Sequence, residues 1–337
     1  MHPSPNTLSR PDLIVFDMDG TLVDVSESYR EAAAIAAGRY LQLLGLTPPA
    51  LTGQVYDEFK RMSGFNDDWD LTAGLLRVLL APLPAALPLP AGPWHDQEAL
   101  VAALRAAARP LAGLTLPLPD WEPLIAQVRA AGGGLAGLDR VISPNNAHLV
   151  RRSGDAATTD LVQRVFSELY LGEQVFAAGY GYPVAYHRGP GLIERERLLI
   201  NPDVLSALGQ RFRLGVATGR TRIEVAAPLA QLGLGRFLSV VMTMNDALDA
   251  QAAGGETLLK PHPYLLHRAA DALDPGGRRP AAYVGDAPDD VIAARRADGV
   301  RPWQAIALAN TPAQRAYYLS LGADMVLDHP DELLGLW

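Results

Sequence analysis

Short apolar runs recur along the chain, and several end abruptly in polar or acidic residues. Leu13-Ile14-Val15-Phe16 has no polar position to keep either face in water, the pattern of a short strand buried on both sides. Similar runs at about 213–218, 237–242, 281–286, 304–308 and 324–328 predict five more strands. Helical periodicity separates most of them, for example over 202–211 and 221–232. This alternation predicts an α/β fold built on a doubly wound, mostly parallel sheet.

The first two strands are separated by 18–212, far more than one crossover helix needs, so a separate domain must be inserted there. The expected division is a core of 1–24 plus 192–337 and an insert of 25–191. Ser28 and Glu31 have capping-box spacing at the start of a helix over 29–44. Further helices are predicted at 71–80, 97–109, 121–131 and 159–171. The Pro-, Leu- and Ala-rich stretches 81–93 and 110–119 are too apolar for a disordered linker and read as ordered extended loops. Gly132-Gly133-Gly134 and Gly179-Tyr180-Gly181 read as turns or hinges.

The first strand runs into Asp17-Met18-Asp19-Gly20-Thr21, which places two carboxylates where the strand emerges. The carboxyl ends of strands are where open α/β sheets bind ligands. Adjacent acids there repel unless a cation joins them or one holds a proton. A metal ion with a phosphoryl group suits the arrangement; an acidic surface turn is the plainer reading. An EF-hand does not fit, lacking its third acid before the Gly and its distant Glu.

Three more segments follow in order: Leu214-Gly215-Val216-Ala217-Thr218-Gly219-Arg220, Lys260-Pro261, and Val284-Gly285-Asp286-Ala287-Pro288-Asp289-Asp290. Together with Asp17 to Thr21, they resemble the four motifs of the haloacid dehalogenase (HAD) superfamily of phosphohydrolases. The resemblance implies a Rossmann-like core with a large, mainly helical C1-type cap inserted after the first motif. It implies that Asp17 attacks phosphorus, and that Asp19 protonates the leaving oxygen and then activates water. Thr218 and the Gly219 N–H would bind phosphoryl oxygens, and Lys260 would offset their charge. Gly20 and Thr21 would shape the turn. Asp286 and Asp290 would hold Mg²⁺ with the Asp17 carboxylate and the Asp19 backbone carbonyl. The family's Gly-Asp-x-x-x-Asp spacing favours Asp290 over Asp289. Arg220 either reaches the substrate or is solvated.

Composition sharpens one of these assignments. Of 29 basic residues only Lys60 and Lys260 are lysines, so Lys260 stands where a compact ammonium is wanted in a chain that otherwise uses arginine. The net charge of −8 with no basic block argues against nucleic acid as a partner. The absence of cysteine excludes disulfides, thiol catalysis and Cys-ligated zinc. No signal-like segment occupies 1–11 and no apolar run is long enough to span a bilayer, so a cytoplasmic protein without membrane association is expected.

Within the insert, Arg30 lies in the first turn of its helix, where the dipole disfavours a cation; it is a candidate anion-binding residue. Tyr29 is read as core or site, and Arg151-Arg152 and His187-Arg188 as surface pairs. The expected activity is Mg²⁺-dependent hydrolysis of a small phosphorylated metabolite through an aspartyl phosphate. A sugar-phosphate mutase of the β-phosphoglucomutase type shares every motif. A haloacid dehalogenase would lack the acid that Asp19 supplies, and a silent binding protein would lack motif residues. Neither the metabolite nor the choice between monomer and homodimer is written in the sequence.

Overall fold

In the computed structural model of the chain, the described residues are 9–65, 67–90, 92, 94, 96–255 and 257–337. Residues 1–8 of the stretch 1–11 examined for a signal-like segment, and positions 91 and 93 of the expected extended loop, lie outside them. The chain divides into two compact units, one running up to Val25 and resuming over Glu196–Trp337, the other spanning Ser26–Arg195.

The described residues of the first unit form eight strands: β1 (Leu13–Phe16), β2 (Val23–Asp24), β3 (Arg197–Leu198), β4 (Arg213–Ala217), β5 (Val240–Met242), β6 (Ala281–Gly285), β7 (Trp303–Leu308) and β8 (Met325–Leu327). Six form one sheet in the order β5-β4-β1-β6-β7-β8, and every pairing in it is parallel. All four residues of β1 are fully buried, as the unbroken apolar run requires. The order reverses between β1 and β6, which opens a crevice at their carboxyl ends. Helices such as Arg222–Gln231, Tyr264–Leu273 and Pro288–Ala297 cross between strands. The Val, Leu and Ala faces of the last two join Val15, Ala217, Tyr283 and Ala305 in the core.

Two details differ from the sequence expectation. The strand expected at 237–242 starts only at Val240, because the chain first closes a 3₁₀ turn over Leu234–Arg236. The antiparallel pair β2–β3, which aligns Val23 with Leu198 and Asp24 with Arg197, is too short to show a period of two. It ties together the points where the chain leaves and re-enters this unit.

The second unit is helical. Its helices are Tyr29–Leu43, Gln54–Arg61, Asp68–Leu80, Gln97–Ala108, Trp121–Ala130, Gly134–Val141 and Leu161–Tyr180. Ser28 stands at the N-cap of the first but makes no side-chain cap bond, contrary to the capping-box reading. Asp67 instead caps the helix at 68–80 by accepting from the Trp69 and Asp70 N–H groups. The last helix is broken at Gly172, whose φ of +75° leaves the helical region, near where 159–171 was expected to end. Tyr29 is core: its ring stacks on Tyr170 at 4.1 Å. Arg152 is not a surface residue but bridges Asp67, Asp70 and Asp160, two of which cap helices. No helix among the described residues is long and apolar enough to cross a membrane.

Candidate active site

Three strand ends of the first unit build the site. At the end of β1 the Asp17 N–H donates to the Val284 carbonyl at 2.8 Å, extending the ladder to β6 by one residue and fixing Asp17 at the rim. The chain then curls over Met18, whose carbonyl accepts from Leu22 and Val23. Gly20 adopts φ +65°, and a Cβ there would lie 2.0 Å from Asp286 Oδ2, so only glycine serves at this position. The Thr21 side chain is buried, and its hydroxyl has no partner among the described residues.

At the end of β4, Thr218 is fully buried and its Oγ1 accepts from the Arg220 N–H at 3.2 Å. Gly219 is exposed, and its N–H has no partner among the described residues. At the end of β6, Asp286 follows the strand and Asp290 lies one turn on, where its Oδ2 accepts from the Ala287 N–H at 3.0 Å.

These elements bring together Asp17, Asp286 and Asp290, whose carboxylate oxygens lie within 4.8 Å of one another. Asp289 is not part of that group. Lys260 Nζ bridges two of the three, at 2.7 Å from Asp17 Oδ1 and 2.9 Å from Asp290 Oδ1. Asp17 Oδ2 and the Asp286 carboxylate have no hydrogen-bond donor among the described residues. Tyr283, which motif reading missed, supports the lysine: its ring lies 5.3 Å from Lys260 Nζ and its hydroxyl contacts Asp290 Oδ1 and the Ala217 carbonyl. Its tyrosine-for-aliphatic choice in β6 was the available signal.

The electrostatics follow from one ammonium among three acids. Burial pushes the Asp17 carboxyl up to about 7, with Lys260 opposing the rise and Asp290 and Asp19 adding to it. Asp286 is held well above the carboxylate range by desolvation and by repulsion from Asp290, Asp17 and Asp19. Burial works against the Lys260 charge, but Asp17 and Asp290 outweigh it and hold the ammonium well above an ordinary lysine. Three carboxylates against one ammonium leave an excess of negative charge, and the donors are all oxygen. That set fits a hard divalent cation with bound water.

The reading of Arg220 requires a correction. Arg220 is neither solvated nor free to meet a phosphate: it is 1% exposed, and its guanidinium is taken up by Asp19, Glu196 and the Glu224 carbonyl. The Asp19 carboxylate accordingly turns to Arg220 and stands outside the three-acid cluster. Glu196 escaped the sequence reading because nothing local marks a buried ion pair formed across 24 residues. Arg30 belongs to the second unit, where it pairs with Asp57 at 3.4 Å; a carboxylate of the chain already supplies its anion.

A sequence profile for haloacid dehalogenase-like hydrolases matches residues 11–298. The pyrophosphatase PpaX of Bacillus mycoides is 29% identical over 125 residues, which cover 37% of this chain and 52% of that protein. The chain thus spans about half the length of the curated relatives it matches. Among solved structures, a structural-genomics target determined by X-ray crystallography has a TM-score of 0.63 at 18% identity, covering 96% of this chain and 98% of the other. Phosphatase Tt82 from Thermococcus thioreducens has a TM-score of 0.55 at 22% identity, covering 91% and 99%. Both likenesses are of fold.

Proposed function

Since the chain belongs to the haloacid dehalogenase-like hydrolases, we propose that it is a Mg²⁺-dependent phosphatase acting on a small phosphorylated metabolite in the cytoplasm. The observation that carries this reading is the Lys260 bridge between Asp17 and Asp290 beside an uncompensated Asp286. Lys260 occupies Asp17 Oδ1 and leaves Oδ2 open to attack. Supporting it are the exposed Gly219 at the end of β4 and the likeness to a pyrophosphatase, PpaX, and a phosphatase, Tt82.

In the first step Asp17 Oδ2 attacks phosphorus, the bond from phosphorus to the leaving oxygen breaks, and Asp19 gives that oxygen its proton. In the second, Asp19 takes a proton from water as the water oxygen bonds to phosphorus, releasing phosphate and restoring Asp17. Thr218, with the Gly219 N–H and Lys260, orients and neutralises the phosphoryl oxygens. Gly20 and Thr21 hold the turn that carries Asp19. Asp17, Asp286, Asp290 and the Asp19 carbonyl would hold the divalent ion that the family generally uses. When bound, the ion supplies positive charge to the phosphoryl group. We assign substrate choice to the inserted unit, as a cap of C1 type.

The test is a panel of phosphorylated metabolites incubated with the full chain and Mg²⁺, reading free phosphate. Release from one compound class well above the rest supports the reading. Interconversion of sugar phosphates without phosphate release would make the protein a mutase, and inertness toward the whole panel would overturn the proposal.

A further inference from the structure

Asp19 is asked to lose and regain a proton within one turnover, so its carboxylate must hold one orientation through both steps. Both contacts from Arg220 fall on the same oxygen: Nε lies 2.7 Å and Nη2 2.5 Å from Asp19 Oδ1. Oδ2 has no hydrogen-bond partner among the described residues, and the side chain keeps 32% of its surface exposed. The carboxylate is therefore pinned by one oxygen and open at the other.

The pin is itself anchored. Glu196 takes the far side of the guanidinium in a two-point pair, Nη1 to Oε2 at 2.9 Å and Nη2 to Oε1 at 3.0 Å. Both partners are buried, so the pair is held in low dielectric where a planar fork has one favourable orientation. The Arg220 N–H is fixed in turn by Thr218 Oγ1. A buried arginine needs such compensation, but compensation by Glu196 alone would satisfy it. Its reach to Asp19 is what a purely structural account leaves over.

We propose that Arg220 and Glu196 are positioning residues for proton transfer by Asp19, holding Oδ1 so that Oδ2 faces the reacting oxygens. This rests on the phosphatase reading above. An ammonium cannot bridge both acids in one plane, so Arg220→Lys loses the orientation while keeping the charge. Glu196→Gln keeps the shape of the anchor and removes half of its charge pairing.

The experiment compares kcat/KM for an alkyl phosphate, whose leaving oxygen needs a proton, with that for p-nitrophenyl phosphate, whose leaving group does not. This ratio reports the first phosphoryl transfer alone. Arg220→Lys should lower the alkyl value about 10²-fold, the cost of misplacing a reacting group by about 1 Å, and the aryl value about threefold at most. Glu196→Gln should move the ratio in the same direction by less. In an Asp19→Asn background neither substitution should lower the alkyl value further, because each acts through Asp19. Equal losses on both substrates, unchanged ratios, or full additivity with Asp19→Asn would overturn the positioning role. If Arg220→Lys does not fold, the Glu196→Gln ratio decides. A wild-type chain inactive on both substrates would instead overturn the phosphatase reading and the inference with it.

Discussion

Lys60 in the second unit and Lys260 in the first both lie over a tyrosine ring and beside carboxylates, but the charge around them differs. Lys60, in the last turn of its helix, donates to the Phe65 carbonyl at 2.9 Å and to Asp68 at 3.2 Å, with the Tyr56 ring 4.8 Å away. It joins the end of one helix to the start of the next, and its pairing with Asp68 is complete. Lys260 spans two acids and leaves a third beside them unmatched. Scarcity of lysine therefore does not mark catalysis, since one of the two retained is structural. The mark is the surplus of negative charge, which a fold would not assemble for stability.

Breaking the surplus should have the largest effect. Asp17→Asn should abolish phosphate release, because an amide cannot become the acyl phosphate. Its metal-free thermal midpoint at pH 8 should hold or rise, since an ionised Asp17 is forced into a crowded, buried site. Steady-state phosphate release and a thermal melt check the two halves.

Exchanging each lysine for arginine sharpens the comparison. Lys260→Arg spreads the charge over a planar fork and should cost on the order of 10²-fold in phosphate release, through about 1 Å of displacement. Lys60→Arg should leave release unchanged. Equal effects at the two positions would remove the distinction drawn here.

The same surplus predicts a pH dependence. The Asp17 pKa is raised from 3.8 to about 7, so the folded state holds that proton more tightly than the unfolded chain. Its contribution to stability is then fully present below the unfolded value and lost as pH rises through the folded one. A divalent ion needs the ionised carboxylate, so Mg²⁺ should raise the thermal midpoint more at pH 8 than at pH 5. A midpoint shift that shrinks as pH rises would contradict the assignment of Asp17 to the metal. The smallest effect expected is at the closed site: Lys60→Met should cost about 1 kcal/mol, the net worth of a hydrogen bond, in a denaturant melt without changing turnover.

The strand ends were legible because Asp17, Asp286 and Thr218 each follow a mainly apolar run, and such a run is the mark of a strand buried on both faces. Helices 244–254 and 264–273 went unread, as did 54–61 and 134–141, because they sit among turn residues. The departures within the site have one cause. Arg220 meets Asp19 across 201 residues, and Tyr283 meets Ala217 across 66, so their roles depend on the sheet order, which no local window contains. A family motif identifies what stands at a strand end, while the residues that hold it come from strands and loops elsewhere in the chain.

In the proposed mechanism Asp17 carries the phosphoryl group between the two steps. Asp19→Asn should slow the water step, so mixing this variant with p-nitrophenyl phosphate and Mg²⁺, quenching, and mapping peptides by mass should find phosphate on Asp17. Near-stoichiometric labelling at Asp17 that hydroxylamine removes is expected. Release of p-nitrophenol with Asp17 unlabelled, or with label on another residue, would contradict it.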